Sequence, residues 1–378
     1  MNASETALQG KQTVTEAMLY LALELAERKW KVAMSDGTRA PSRYTADAGD
    51  TTALLACVAR AKARVGLAGP VVIRSCYEAG RDGFWLHRWL LEQGIENVVV
   101  DSSSIEVNRR ARRAKSDRLD ADKLLAMLMR YHSGERRVWS VVRVPTPQQE
   151  DARRPHRELE RLTREQTAHR NRIGSLLALV NLRVKSVAGR DWQRWWEAHA
   201  ERLPESLRGE IEREIVRLRL VRAQMKTLQA TQREQLEKGA QPQVAQLARL
   251  RAVGMSSAWV LVAELFNWRH FANRRQVAGC VGLAGTPYDS GDTHVEQGIA
   301  KSGNRRVRWL LVELAWSWLR YQPQSTLSKW FNKRFAGGGA RLRRIGIVAV
   351  ARRLVIALWR FVKDGVIPDG AELKPVAA

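Results

Sequence analysis

The chain has 378 residues, 45 % of them hydrophobic, and a formal net charge of +25. That length allows two or three domains with buried cores, and so basic a balance points first to a nucleic-acid partner and second to a membrane surface. No stretch approaches the ~20 apolar residues of a spanning helix, the polar start MNASETALQGKQTVTEA is not a signal peptide, and Cys57, Cys76 and Cys280 form no CxxC pair, against a zinc site or disulfide framework and for a reducing cytoplasm.

Residues 18–26, MLYLALELA, alternate: Leu19, Leu21, Leu23 and Leu25 point one way, and Tyr20, Ala22, Glu24 and Ala26 the other. This is a strand signal. Glu24 falls near its C-terminal end, on the face with the smaller residues. A lone Glu on an apolar strand is costly to bury unpaired, so it is either turned toward solvent or a site carboxylate. KVAMSD, 31–36, reads as a second strand after a short basic turn, with a third near Arg43–Thr45. A helix is expected over 51–67, a buried strand run at Val71–Ile73 with Glu78 just beyond it, a helix over 84–94 and a strand over 97–103. Strands alternating with helices predict an α/β domain with a largely parallel sheet. In such sheets ligands bind outside the carboxyl ends of strands, where Glu24 and Glu78 are expected.

Arg109, Arg110, Arg112, Arg113 and Lys115 then lead into KSDRLDA, 115–121. Asp117 and Asp120 stand three apart, which on a helix places both carboxylates on one face. They read as helix capping or as half of a divalent-metal site, because two carboxylates that close repel unless a cation lies between them.

From about Glu150 the composition becomes highly charged with leucine and isoleucine at helical spacing, and a second such run covers 206–238, with Trp192, Trp195 and Trp196 between. Two long amphipathic helices predict a helical hairpin or coiled-coil arm, a spacer or dimer arm first and an RNA or DNA contact second. Pro145, Pro147 and Pro155 mark its start. Residues 245–335 form a further globular unit. It contains a helix–hairpin–helix pattern around Val253-Gly254-Met255-Ser256 and a basic loop in which Lys301, Arg305, Arg306 and Arg308 surround Ser302-Gly303-Asn304. Basic residues at a helix start oppose the macrodipole; a nucleic-acid phosphate outside explains them. Most of the fourteen tryptophans sit among apolar neighbours, as in LLVELAWSWL, and these read as core; 336–364 reads as a basic amphipathic helix packed on this unit, and 365–378 as a tail.

Taken together, these motifs resemble the DEDD-type transposases of bacterial insertion sequences, the insertion-sequence-110 family. A Lys-Thr-Asp-x-x-Asp-Ala signature is matched by Lys115, Ser116, Asp117, Asp120 and Ala121, and a second acid by Glu78. A Gly-Leu-x-Pro…Ser-Gly…Lys-x-Gly-Asn pattern is matched by Gly282-Leu283, Pro287, Ser290-Gly291 and Lys301-Ser302-Gly303-Asn304. Two positions depart: Glu24 stands where the family has Asp, and Val253-Gly254-Met255-Ser256 replaces a Pro-Gly-x-Gly hairpin. The resemblance implies a RuvC-like (ribonuclease-H-type) α/β domain over 1–145, a helical coiled-coil arm over 146–240 and a mostly α-helical transposase domain over 241–378. It implies that Glu24, Glu78, Asp117 and Asp120 hold Mg²⁺ and that Ser290, otherwise an ordinary turn serine, attacks DNA. It further implies donor and target DNA as partners, a structured guide RNA, a dimer or tetramer, and a bacterial cytoplasmic, nucleoid-associated location. A RuvC-like nuclease using water, or a non-catalytic nucleic-acid-binding protein, are the alternatives.

Overall fold

A computed structural model describes residues 17–106, 117–290 and 293–375. The chain divides into two compact units, Met1–Pro145 and Thr146–Ala378.

In the first unit, β1 (Ala17–Leu25), β2 (Lys29–Ser35), β3 (Ser42–Asp47), β4 (Val71–Glu78) and β5 (Glu96–Val100) form one sheet in the order β3-β2-β1-β4-β5. The expected largely parallel sheet is corrected to a mixed one. β1, β4 and β5 run parallel, whereas β2 and β3 are antiparallel to their neighbours. The reason is connection length: the turns after β1 and β2 are too short for a crossover, which a parallel partner needs. Helices α1 (Thr51–Val65) and α2 (Trp85–Glu92) supply the crossovers into β4 and β5.

Strand alternation sorts the side chains onto two faces. Leu19, Leu21, Leu23, Ile73, Tyr77 and Val99 pack with Leu54 and Val58 of α1 and Leu86 and Leu90 of α2. Ala22, Cys76 and Val100 pack on the opposite face with Leu124, Leu125 and Leu128 of α3 (Asp117–His132). Each fully buried leucine contributes about 1.5–3 kcal/mol, so a slip of one residue in β1 would be strongly resisted.

The second unit begins with α4 (Pro147–Asp151), closed by a capping box between Thr146 and Gln149. Next come α5 (Arg154–Ala178), α6 (Trp192–His199) and α7 (Glu205–Glu237). His169 meets Glu214 at 2.6 Å and Arg172 meets Glu210, so the partners of successive α5 residues run backward along α7, and the two helices form an antiparallel hairpin. Ile173, Leu176 and Leu177 face Ile211, Ile215 and Leu218 across it, and Trp192 seals the turn. Trp192 stacks on Trp195 and Trp196 with ring centroids 5.5 and 5.7 Å apart.

Beyond lie α8 (Pro242–Ala248), α9 (Met255–Leu261), α10 (Arg274–Cys280), the hairpin β6 (Gly285–Ser290) and β7 (Thr293–Ile299), α11 (Arg305–Tyr321), α12 (Thr326–Phe331) and α13 (Ala340–Asp364). Val350, Leu354 and Leu358 of α13 share a core with Leu311, Ala315 and Trp318 of α11 and Leu261 of α9. Trp309 and Trp316 are exceptions among the tryptophans, 63 % and 45 % exposed, because residues 311, 314, 315 and 318 take the inward stripe of α11. The stretch after α13 is not a loose tail. Lys374 Nζ donates to the carbonyls of Ala248 (2.6 Å) and Val253 (2.8 Å), and Gln322 Nε2 donates to the Glu372 carbonyl at 2.8 Å. Among the described residues no helix is long and apolar enough to cross a membrane.

Candidate active site

The acids of the first unit are placed by strand register. Leu23 lies opposite Tyr77 on the parallel pair β1–β4, so Glu24 and Glu78 follow as neighbours at the carboxyl ends. Both share the parity of Ala22 and Cys76 and so belong to the face that α3 covers. Asp120 stands four residues before Leu124, which packs on that same face, so one turn of helix carries it to the strand ends. Glu24, Glu78 and Asp120 line one open cavity of about 380 Å³, together with Arg81, Asp82, Ser102 and Lys123. Asp117 is the first residue of α3, one turn ahead of Asp120. Among the described residues no three His, Cys, Asp or Glu side chains are gathered closely enough to hold a metal ion. The carboxylates on the lining, Glu24, Glu78, Asp82 and Asp120, offer oxygen donors, the kind a hard divalent cation takes, while Arg81 and Lys123 add positive charge beside them.

Asp122, two residues on, has a different task. It receives Nε of Arg43 at 3.0 Å on each carboxylate oxygen, fastening the first turns of α3 to β3. The hydrogen bonds to Asp122 raise the Arg43 pKa above its ordinary value. The basic residues Arg109, Arg110, Arg112, Arg113 and Lys115 lie outside the described residues.

In the second unit Ser290 ends β6, paired with Thr293 across the hairpin. The base of that hairpin is held backbone to backbone. Gly282 has φ 65° and Gly303 φ 73°. A Cβ on Gly282 would lie 2.0 Å from the Ser302 carbonyl oxygen, and one on Gly303 2.2 Å from that of Cys280. Asn304 N–H donates to Cys280 O at 2.9 Å, and Lys301 N–H to Gly282 O at 3.1 Å. This is why Gly-Leu and Ser-Gly-Asn flank the hairpin in sequence: two strands of backbone cross where side chains have no room.

Two arginines of the basic loop have partners within the unit. Arg308 Nη1 donates to the carbonyls of Val281 (3.0 Å) and Ser302 (2.8 Å), and Arg306 pairs with Glu160 and, at 3.5 Å, with Glu264. Both guanidiniums are committed within the unit, whereas Lys301 and Arg305 are exposed. Glu264 is the residue that sequence reasoning missed. It sits in a π-helical turn, Val262–Phe266, and is 1 % exposed. His156 Nε2 lies 2.9 Å from Oε1, Arg157 donates to Oε1 and Oε2 at 2.6 and 2.9 Å, and Asn304 Nδ2 donates at 3.2 Å. Burial pushes this carboxyl up, but the hydrogen bonds and charges of His156 and Arg157 outweigh it and hold the group well below the usual carboxylate range. A lone Glu in the apolar run WVLVAELF was the available signal.

Comparison with known proteins bears on both units. Residues 244–329, which span the β6–β7 hairpin and its base, match the family described as Transposase IS116/IS110/IS902. The chain is 39 % identical over 377 residues, covering 94 % of each protein, to "Putative transposase y4rJ" of Sinorhizobium fredii (strain NBRC 101917 / NGR234). It is 29 % identical over 260 residues, 66 % of this chain and 59 % of the other, to "Putative transposase y4qE" of the same organism. With likeness of that extent to the first and the family match in the second unit, the chain belongs to the IS116/IS110/IS902 family of transposases.

Proposed function

We propose that this transposase cuts and rejoins DNA by Mg²⁺-dependent phosphoryl transfer, with Glu24, Glu78, Asp117 and Asp120 of a RuvC-like domain as the acid site and Ser290 as nucleophile. The observation that carries it is the convergence of Glu24, Glu78 and Asp120 on one cavity at the carboxyl ends of parallel strands. Mg²⁺ bound there supplies Lewis-acid stabilisation of the attacking and leaving oxygens. The chain's own part is to set the acids around the scissile phosphate and to present Ser290 on a hairpin whose base is held by backbone contact. Ser290 Oγ gives up its proton and forms a bond to phosphorus; the P–O3′ bond breaks and O3′ leaves as a hydroxyl. Attack by another strand's 3′-hydroxyl reverses this, expels the serine and joins the strands with no external energy. The net charge of +25 suits a protein that contacts backbone and leaves sequence reading to a paired guide RNA. The α5–α7 hairpin is proposed as a coiled-coil arm through which two or four copies associate.

The test is a denaturing gel of reactions with end-labelled donor and target DNA, the element's transcribed RNA and Mg²⁺. A protein–DNA adduct is expected from the wild type and none from Ser290→Ala. Cleavage without an adduct, undiminished in Ser290→Ala, would leave the acids with water as nucleophile and remove the serine step.

A further inference from the structure

The second unit holds a larger cavity, of about 970 Å³, walled by α5, α7, α9 and the start of α11. Its lining carries a built polar position that no contact within the protein explains. Gln232 on α7 is 7 % exposed and faces this cavity. Among the described residues its carboxamide meets no hydrogen-bond partner. His156, on the same lining, likewise has a buried Nδ1 with no partner. The Gln232 amide atoms are not sealed from solvent as His156 Nδ1 is, so they open onto the cavity and keep a donor and an acceptor for the polar edge of a ligand.

The other wall says what kind of ligand. Trp309 is 63 % exposed on the lining and stands one helical turn from Arg305. A bare indole face beside a cation, opposite an unpaired carboxamide, matches the chemistry of a nucleotide: a π-face to stack, a phosphate to pair, and a donor–acceptor edge to read. The acid on the lining, Glu160, is already taken by Arg164 and Arg306, so the cavity's remaining charge is positive. We propose that this cavity receives one unstacked base of a single-stranded nucleic acid. The base stacks on Trp309, its hydrogen-bonding edge meets Gln232, and its phosphate meets Arg305. A paired base within a duplex cannot offer a face and an edge together, so the base comes from a loop, bulge or frayed end. This rests on the chain's handling of nucleic acid, but on neither the acid cavity nor Ser290.

The test uses the full chain without Mg²⁺ and a set of DNA and RNA single strands, each with one 2-aminopurine. Binding of the wild type quenches the probe at one strand position. Trp309→Ala, an exposed site that tolerates truncation, abolishes that quench and weakens binding about tenfold, while Trp309→Phe keeps most of both. Gln232→Leu keeps the quench but removes the preference among bases at that position. Wild-type quenching and affinity in Trp309→Ala would overturn the proposal. So would loss of self-association by that variant with nucleic-acid binding intact, since the occupant would then be protein. Asp120→Asn retains the quench, so failure here and failure of the acid site are read separately.

Discussion

His156 and Glu264, 108 positions apart, meet at 2.9 Å where both are almost wholly buried. Glu264 also receives Arg157, Asn304 and Arg306. One carboxylate thus joins the start of the α5–α7 hairpin to the N-terminus of α11, whose cap Asn304 accepts Val307 N–H at 3.1 Å. Removing it strands the buried His156 and takes a partner from the half-buried Arg306 and the exposed Arg157. Glu264→Ala is expected to cost about 3–5 kcal/mol, and Glu264→Gln less, because the amide keeps an acceptor for Arg157. Urea unfolding measures both; a loss below 1 kcal/mol for the alanine variant would contradict the role.

The same carboxylate makes stability depend on acid. Its folded pKa is depressed, so the unfolded state takes up its proton first as pH falls, and the stabilisation present at neutral pH is lost below the ordinary Glu pKa of about 4.3. The groups facing it are His156, Arg157 and Arg306, and Glu160 lies on Arg306. The thermal midpoint of Glu264→Gln should therefore change less than that of the wild type between pH 6 and about pH 3. Parallel curves for the two would exclude Glu264 as the acid-sensitive group.

Gly303 and Gly298 separate strain from collision. Both have positive φ, 73° and 94°, but a Cβ on Gly303 meets the Cys280 carbonyl whereas one on Gly298 meets nothing within 4 Å. Gly298→Ala should cost about 1 kcal/mol, the price of a left-handed alanine alone. Gly303→Ala should cost clearly more and displace the hairpin that carries Ser290, lowering strand joining as well as stability. Equal losses in the two variants would mean that the crossing of backbones at the hairpin base gives way freely.

The C-terminal stretch is predicted to be part of the fold. A chain ending at residue 370 loses the Lys374 bonds to Ala248 and Val253, the Leu250–Leu373 bridge and the Gln322 contacts to Glu372. At about 1 kcal/mol for each net hydrogen bond, its urea midpoint should fall measurably. An unchanged midpoint would show these contacts to be incidental.

What could be read in advance divides by range. Glu24 and Glu78 were legible because a period of two fixes which face a strand residue takes, and because β1 and β4 announce themselves by local apolar runs. Arg306 and Arg308 have partners that nothing local names: Glu160 is 146 positions from Arg306. Trp309 and Trp316 sit in an apolar run that gives the helix but not which stripe of it faces inward. Glu264 could have been flagged by its cost in an apolar segment, yet nothing local names His156 as the partner that offsets it. Ser290 carried no chemical signal beyond a turn; only the resemblance singled it out.

Asp120 and Asp122, two residues apart on α3, provide the sharpest functional contrast. Asp120 lines the acid cavity with Glu24 and Glu78, while Asp122 faces the other way onto Arg43. Like charges around one cavity repel, so Asp120→Asn should leave the thermal midpoint unchanged or slightly raised while abolishing DNA cleavage. Asp122→Asn should do the reverse: it loosens an exposed ion pair, lowers the midpoint slightly, and leaves cleavage near the wild-type rate. Both variants should bind DNA as the wild type does, since neither removes a cation. Cleavage that survives Asp120→Asn but not Asp122→Asn would put the catalytic carboxylates on the other face of α3 and dissolve the acid site built here from Glu24, Glu78 and Asp120.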